Sequence, residues 1–210
     1  MRPGSLRQAL WLPHVAAVQV AAPMRRWLVS SGSLTAQLVA HSSAFRVQRL
    51  HQRSALCLAD EAAAIGLARP GRVWEREVLL RCDGVPVVFA HTVVPLAASA
   101  ADWPLFSALG ERSLGSTLFH DPLVQRGELE FARLRAGHPL LQRARAALGA
   151  GGIECVDHYA TDHGGVVHAR RCLYRRRRGL LLVTEVFLPS VLSLVRPAPS
   201  NQFIQSLSSQ

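Results

Sequence analysis

The stretch VWEREVLLRCDGVPVVFAHTVVP, residues 73–95, is two β-rich runs joined at Asp83-Gly84. Asp-Gly favours a type I′ turn because both central positions need positive φ, so the spacing predicts a β-hairpin. Side chains alternate between the two faces of a strand. That count puts Trp74, Arg76, Val78 and Leu80 on one face and Glu75, Glu77 and Arg81 on the other. Arg76 therefore falls on the face that a core must cover.

A second strand pair is predicted over Val166–Arg175 and Leu180–Leu188, with RRRR at 175–178 and Gly179 at the bend. The arginine run reads as a solvated hairpin tip. In the last strand Leu181, Val183, Glu185 and Phe187 share one face, and Leu180, Leu182, Thr184, Val186 and Leu188 share the other. Both faces are apolar, so Glu185 has no easy route to solvent. A buried charge costs several kcal/mol unless it is paired, hydrogen-bonded or neutralised. Two readings follow. Arg76 and Glu185 pair with each other as a buried ion pair, or they line one cavity, with Arg76 gripping a ligand carboxylate in bidentate fashion and Glu185 facing a hydroxyl.

The remaining elements are weaker. Residues 1–23 read as an extended segment, Met24–Val29 as a short helix, and Leu34–Val39 as a helix capped by Ser33. Phe45, Val47 and Leu50 give a weak strand, and residues 54–70 a helical or irregular connection. Trp103–Leu109 reads as a short helix, Leu129–Leu134 as a strand, and 136–165 as helix plus loop. The main domain is expected over 24–190, with a C-terminal tail over 191–210. Strands arrive as hairpins, so the expected class is α+β, one domain with a mainly antiparallel sheet and helices packed on it.

Composition excludes several functional classes. All 24 basic residues are arginine and the net charge is +10, but the charge is dispersed apart from the RRRR run and only 6% of residues are aromatic, which argues against a nucleic-acid partner. No run approaches the ~18 uncharged apolar residues of a membrane span. Cys57, Cys82, Cys155 and Cys172 form no C-x-x-C pair, so neither a zinc site nor a disulfide framework is indicated, and reduced thiols in a cytoplasm fit best. Asp157-His158 and Asp162-His163, with His168 beyond, have spacing that suits neither one helix face nor one strand face, so no metal is expected. There is no G-x-S-x-G, no G-x-G-x-x-G and no P-loop.

The ordered set WLVSSGSLT, VWEREVLL-x-x-DG, HTVVP, LGERSLGSTLF, HARR and LLVTEVFLP, running from Trp27 to Ser190, resembles the bacterial chorismate pyruvate-lyases. The resemblance implies a sheet and helices enclosing a buried ligand cavity. It also implies loss of pyruvate from chorismate to give 4-hydroxybenzoate for ubiquinone synthesis, with no metal or organic cofactor, by a monomer. Residue by residue it points to Arg76 for the substrate carboxylate, Glu185 for the ring hydroxyl, and Leu34 and Leu114 as further ligand contacts. Three departures stand out: leucine at 34, where methionine is common, His91 where the family commonly has arginine, and a long 136–165 segment. The alternative is a non-catalytic sensor domain of the same fold that binds an aromatic carboxylate. Such sensors carry an N-terminal winged helix, for which a chain whose motifs begin near residue 27 is expected to leave no room.

Overall fold

The computed structural model describes residues 7–30, 32–99, 102–104 and 106–194; residues 1–6 and most of the tail expected over 191–210 lie outside them. After a 3-10 turn at Val15–Val18 come helices α1 (Ala22–Leu28) and α2 (Leu34–Val39), then strand β1 (Phe45–Leu56) and the short helix α3 (Ala59–Ala62). The hairpin β2 (Arg72–Cys82) and β3 (Val85–Pro95) follows, then α4 (Leu96–Ser99) and α5 (Leu114–His120). The chain continues through β4 (Val124–Arg135), α6 (Pro139–Ala146) and α7 (Ala150–Asp162) into a second hairpin, β5 (Val166–Arg176) and β6 (Gly179–Phe187). The six strands form one sheet in the order β1-β2-β3-β6-β5-β4, with every neighbouring pair antiparallel. The class is α+β, as the hairpins imply.

The turn at Asp83 and Gly84 has φ of 50° and 80°, and the Asp83 carboxylate accepts from the amides of Ser43 and Ala44 at 3.0 and 2.8 Å, tying β1 to the turn. Ser33 caps α2 by accepting from the Ala36 amide at 3.3 Å. Three expectations need correction. β1 runs to Leu56, well past Leu50, because pairing with β2 extends an edge strand whose exposed positions, Arg46, Arg49, Arg53 and Leu56, do not follow a clean alternation across the register shift between Arg49 and His51. The described part of 103–109 is turns rather than helix, its apolar Trp103, Phe106 and Leu109 being buried without helical backbone. The 136–165 segment is two helices whose apolar sides pack on the sheet.

Both faces of the sheet are covered. On one, Met24, Trp27, Leu28, Leu34 and Leu38 pack against Val78, Leu80, Val88 and Phe187. On the other, Leu140, Leu141, Ala144 and Val156 of α6 and α7 pack against Leu79, Phe89, Val167 and Val186. Glu75 and Glu77, on the side of β2 away from Arg76, are consequently only 1% and 3% exposed. They survive there inside an ionic network. Arg143 Nη1 donates to Glu75 at 2.9 Å and to Glu77 at 2.8 Å, His51 lies 2.9 Å from Glu75, and His91 sits between Glu77 at 3.0 Å and Glu61 at 3.1 Å. Burial alone would lower the His91 pKa, but Glu61 and Glu77 raise it to about 10. Burial would likewise raise Glu77, but the His91 and Arg143 contacts hold it at about 2.

Two outcomes are expected. Gly84→Ala, at a positive φ that costs a side chain ~1–2 kcal/mol, lowers the unfolding free energy by about 1 kcal/mol in urea titration. The network makes stability pH-dependent on both sides. His91 is held above its ordinary 6.5, so its contribution is complete below that pH and is lost as pH rises through about 10. Glu77 is held below its ordinary 4.5, so its contribution is complete above that pH and is lost as pH falls through about 2. Urea midpoints followed from acid to alkaline pH should peak between these ordinary values. His91→Gln should cost about 3–5 kcal/mol at mildly acid pH and flatten the alkaline limb.

Candidate active site

Arg76 lies in the middle of β2, opposite Gln52 of β1 and Thr92 of β3, and is 2% exposed. Its Nη2 donates to the carbonyls of Gly110 at 3.1 Å and Arg112 at 3.0 Å. Gln52 holds the same segment through a 2.9 Å bond from its Nε2 to the Phe106 carbonyl. Arg76 Nε is buried with no hydrogen-bond partner, and among the described residues no carboxylate pairs with this guanidinium. Burial, and secondarily the nearby Arg49 charge, lower its pKa to about 10, which leaves it charged at neutral pH.

Glu185 lies in the middle of β6, between Ala90 of β3 and Arg170 of β5. Arg170 Nε donates to Glu185 Oε2 at 2.5 Å. Arg170 Nη1 donates to the carbonyls of Trp27, Leu28 and Ser30 at 3.4, 3.0 and 2.9 Å. These belong to the end of α1 and the residues after it, where carbonyls lack intrahelical donors. The ion pair on this face is thus Glu185 with Arg170, and the reading in which Arg76 and Glu185 neutralise each other is overturned. The register of β5 on β6 decides this by setting Arg170 directly across from Glu185. Arg171 turns to the opposite face, where it bonds Glu130 at 2.7 Å and the Asp60 carbonyl at 2.8 Å.

Arg76 and Glu185 share a face two strands and one row apart, about 12 Å between backbones by ordinary sheet spacing. Between them is a pocket of about 60 Å³, which Leu34 and Leu114 also line. All four residues expected at a ligand site from the sequence are therefore brought together. Its floor is sheet, with Val78, Ala90, Thr92 and Val183, and its roof is the starts of α2 and α5. Leu34 and Leu114 are the first residues of those helices, so their amides have no intrahelical acceptor. The two helix starts are pinned together by a 2.6 Å bond between Thr35 and Ser113 hydroxyls. A Cβ on Gly115 would come within 3.1 Å of Thr35 Oγ1, so glycine permits this close approach.

Sequence reading missed Arg126, Cys172 and Tyr174, which line the pocket, and expected one of Arg170 and Arg171 to face inward without deciding which; Arg170 does. Alternation along HARRCLY admits either Arg170 or Arg171 until the register is known. Arg126 was hidden by a register shift between Arg126 and Leu129, which breaks the period of two in β4. The Asp157-His158 and Asp162-His163 pairs lie along α7, with His158 paired to Asp162 in solvent, while His168 is buried on β5 beside Tyr159. Among the described residues, His51, Glu75 and Glu77 place ligand atoms within 4.8 Å of one another, but Arg143 already bridges the two carboxylates. All four cysteines are free. Among the described residues, no helix is long and apolar enough to cross a membrane.

The family model for chorismate lyase matches residues 5–196. A probable chorismate pyruvate-lyase of Cupriavidus metallidurans is 46% identical over 92% of this chain and 86% of its own length. One from Ralstonia nicotianae is 49% identical over 83% and 85%, and one from Dechloromonas aromatica 42% identical over 89% and 98%. The crystal structure of PhnF from Mycobacterium smegmatis superposes with a TM-score of 0.51 at 15% identity, covering 82% of this chain and 70% of that one, a likeness of fold alone. The family match contains the whole sheet and every residue that lines the pocket, and the relatives align over most of their length: the chain belongs to the chorismate lyase family.

Proposed function

We propose that this protein removes pyruvate from chorismate and releases 4-hydroxybenzoate for ubiquinone synthesis, as a cofactor-independent monomeric lyase of the cytoplasm whose catalytic domain spans 24–190. The observation that carries the reading is Arg76: a buried, charged guanidinium without an acidic partner, with an unsatisfied Nε, across a pocket from a carboxylate that has its own partner. Such a cation is costly unless an anion joins it, and a planar carboxylate fits its donors.

The ring carboxylate binds Arg76, and the ring hydroxyl faces Glu185. The ether bond from the ring to the enolpyruvyl oxygen breaks, and its electron pair leaves on that oxygen. The ring carbon bearing the hydroxyl loses its proton, whose bonding electrons complete the aromatic ring. The departing enolate takes one proton at its methylene carbon and becomes pyruvate. One dianion gives two monoanions, so atoms and charge balance. Aromatisation drives the reaction. The chain's residues hold the substrate in register and stabilise the developing charge, and Glu185 serves as acid/base or hydrogen-bond partner at the hydroxyl.

The test is incubation of purified protein with chorismate in EDTA-containing buffer, following pyruvate and 4-hydroxybenzoate. Equimolar products are expected from the wild type. Glu185→Ala should lower kcat by ~10²–10⁴-fold, and Arg76→Ala should lower kcat/KM by about 100-fold, the scale of a lost charge-assisted bond. Tight 4-hydroxybenzoate binding without turnover would instead make the protein a sensor, and neither binding nor turnover would return both charges to a structural role.

A further inference from the structure

The RRRR run has no part in the lyase chemistry, and the fold gives it neighbours that the sequence separates. The end of β1, the start of β2, the end of β3, the start of β6, the end of β5 and the start of β4 come level at one end of the sheet. There Leu56 stands opposite Arg72, Val73 opposite Pro95, Val93 opposite Leu182, and Arg176 opposite both Gly179 and Val124. That end is five strand spacings wide, about 24 Å. It exposes Arg69 and Arg72 at the entry to β2 and Arg175, Arg177 and Arg178 around the β5–β6 turn. The acids beside them are Asp102 and Asp121, and Asp121 already holds Arg176 at 2.7 Å. Four exposed acids, Asp83, Glu154, Asp157 and Asp162, fall at the opposite end, in the β2–β3 turn and along α7, which shares a groove there with Gly84 and Leu188. Arg177 has a φ of 54°, a conformation that glycine or asparagine adopts at less cost, so the turn itself does not call for arginine. Apolar side chains stand among the cations: Leu56 is 63% exposed, Leu123 48% and Trp74 37%.

We propose that this end of the sheet is a docking surface for an anionic phospholipid bilayer. A guanidinium binds a phosphate headgroup through paired N–H donors. Cations are drawn to an anionic leaflet one by one, while exposed leucine and tryptophan side chains enter the zone between headgroups and acyl chains. Either signal alone gives weak attachment, and the two together hold a protein reversibly at the surface. The apolar residues favour a bilayer over a nucleic acid, whose phosphates would use the arginines but leave Leu56 and Leu123 in water. Arg176 bonds Asp121 and the Asp102 carbonyl at 2.7 and 2.9 Å, and Leu114 and Leu118, between these two residues in the chain, line the pocket. A bilayer seated here therefore adjoins the cover of the proposed active site, while the inference holds or fails independently of the lyase reading.

The experiment is sedimentation of the full-length protein with vesicles of phosphatidylglycerol and phosphatidylcholine in equal parts, and of phosphatidylcholine alone, at about 0.1 M salt. Wild type should bind the anionic vesicles, lose affinity as salt rises, and leave the zwitterionic ones unbound. Arg177→Asn/Arg178→Gln should weaken binding by about 30-fold, from roughly fivefold per arginine near an anionic surface. Leu56→Ser/Leu123→Ser should weaken it by ~4-fold or more, the worth of one buried methylene, without changing the salt dependence. Arg133→Gln/Arg135→Gln, which removes the same charge from the opposite end of β4, should bind as wild type does. Melting temperatures near that of wild type certify the folds, and if the tip variant does not fold, Arg69→Gln/Arg72→Gln decides on the same criterion. Absence of binding to the anionic vesicles overturns the proposal. So does an equal loss in Arg133→Gln/Arg135→Gln, which makes net charge rather than placement the cause. Duplex DNA bound at least as tightly as the vesicles, with affinity lowered by the arginine variant and untouched by the leucine one, assigns the surface to nucleic acid and overturns it too.

Discussion

The guanidinium of Arg170 joins the sheet to the segment that roofs it. One side meets Glu185 on the neighbouring strand, and another gathers three carbonyls from the end of α1 and the turn after it. A cation at a helix C-terminus is favourable because the last carbonyls carry partial negative charge without intrahelical donors. The same cation pairs with Glu185, which stands among Val183, Phe187 and Ala90 with its side chain 18% exposed. α2 follows α1 after a short turn, so what fixes α1 also sets where Leu34 and Thr35 meet the pocket. The geometry of the roof and the orientation of Glu185 thus depend on one side chain.

The two faces of the sheet solve the problem of buried charge in opposite ways. In β2 the run Glu75-Arg76-Glu77 sends two acids to the rear and one base to the front. At the rear, Arg143, His91 and His51 close the acids into a network spanning β1, β2, β3, α3 and α6, with His91 held charged by two carboxylates. Each of the three acids there, Glu61, Glu75 and Glu77, has at least one arginine or histidine partner. The front holds Arg76 with carbonyls alone, and that incompleteness is where the proposed ligand would enter. His91 works within the rear network and does not line the pocket, so its substitution bears on stability.

What the sequence made legible follows the range of the interactions involved. The Asp83-Gly84 turn, the Ser33 cap and the facing of Arg76 and Glu185 depend on residues within a few positions, and each agrees with the structure. Beyond that range the reading fails in specific places. Arg170 and Arg171 differ by one position, and only pairing with β6 tells which meets Glu185. A register shift after Arg126 conceals its place in β4. β1 looks weak alone because it is a polar edge strand with a register shift, and it is extended by hydrogen bonds to β2 rather than by its own propensity. The helices of 136–165 are obscured by glycines at 149, 151 and 152, and tertiary packing against Leu79, Phe89 and Val186 overrides that local preference.

Arg76 shows how such a site gains strength without a partner of opposite charge. The carbonyls of Gly110 and Arg112 fix the plane of the guanidinium but, being neutral, leave its charge intact. An arriving carboxylate therefore meets donors already oriented, and little rotamer entropy is lost in the encounter. Those carbonyls belong to the segment that Gln52 also holds through Phe106, so the residue that would receive the substrate helps to keep the cover in place. Replacing Arg76 removes both the anion contact and an anchor of that cover.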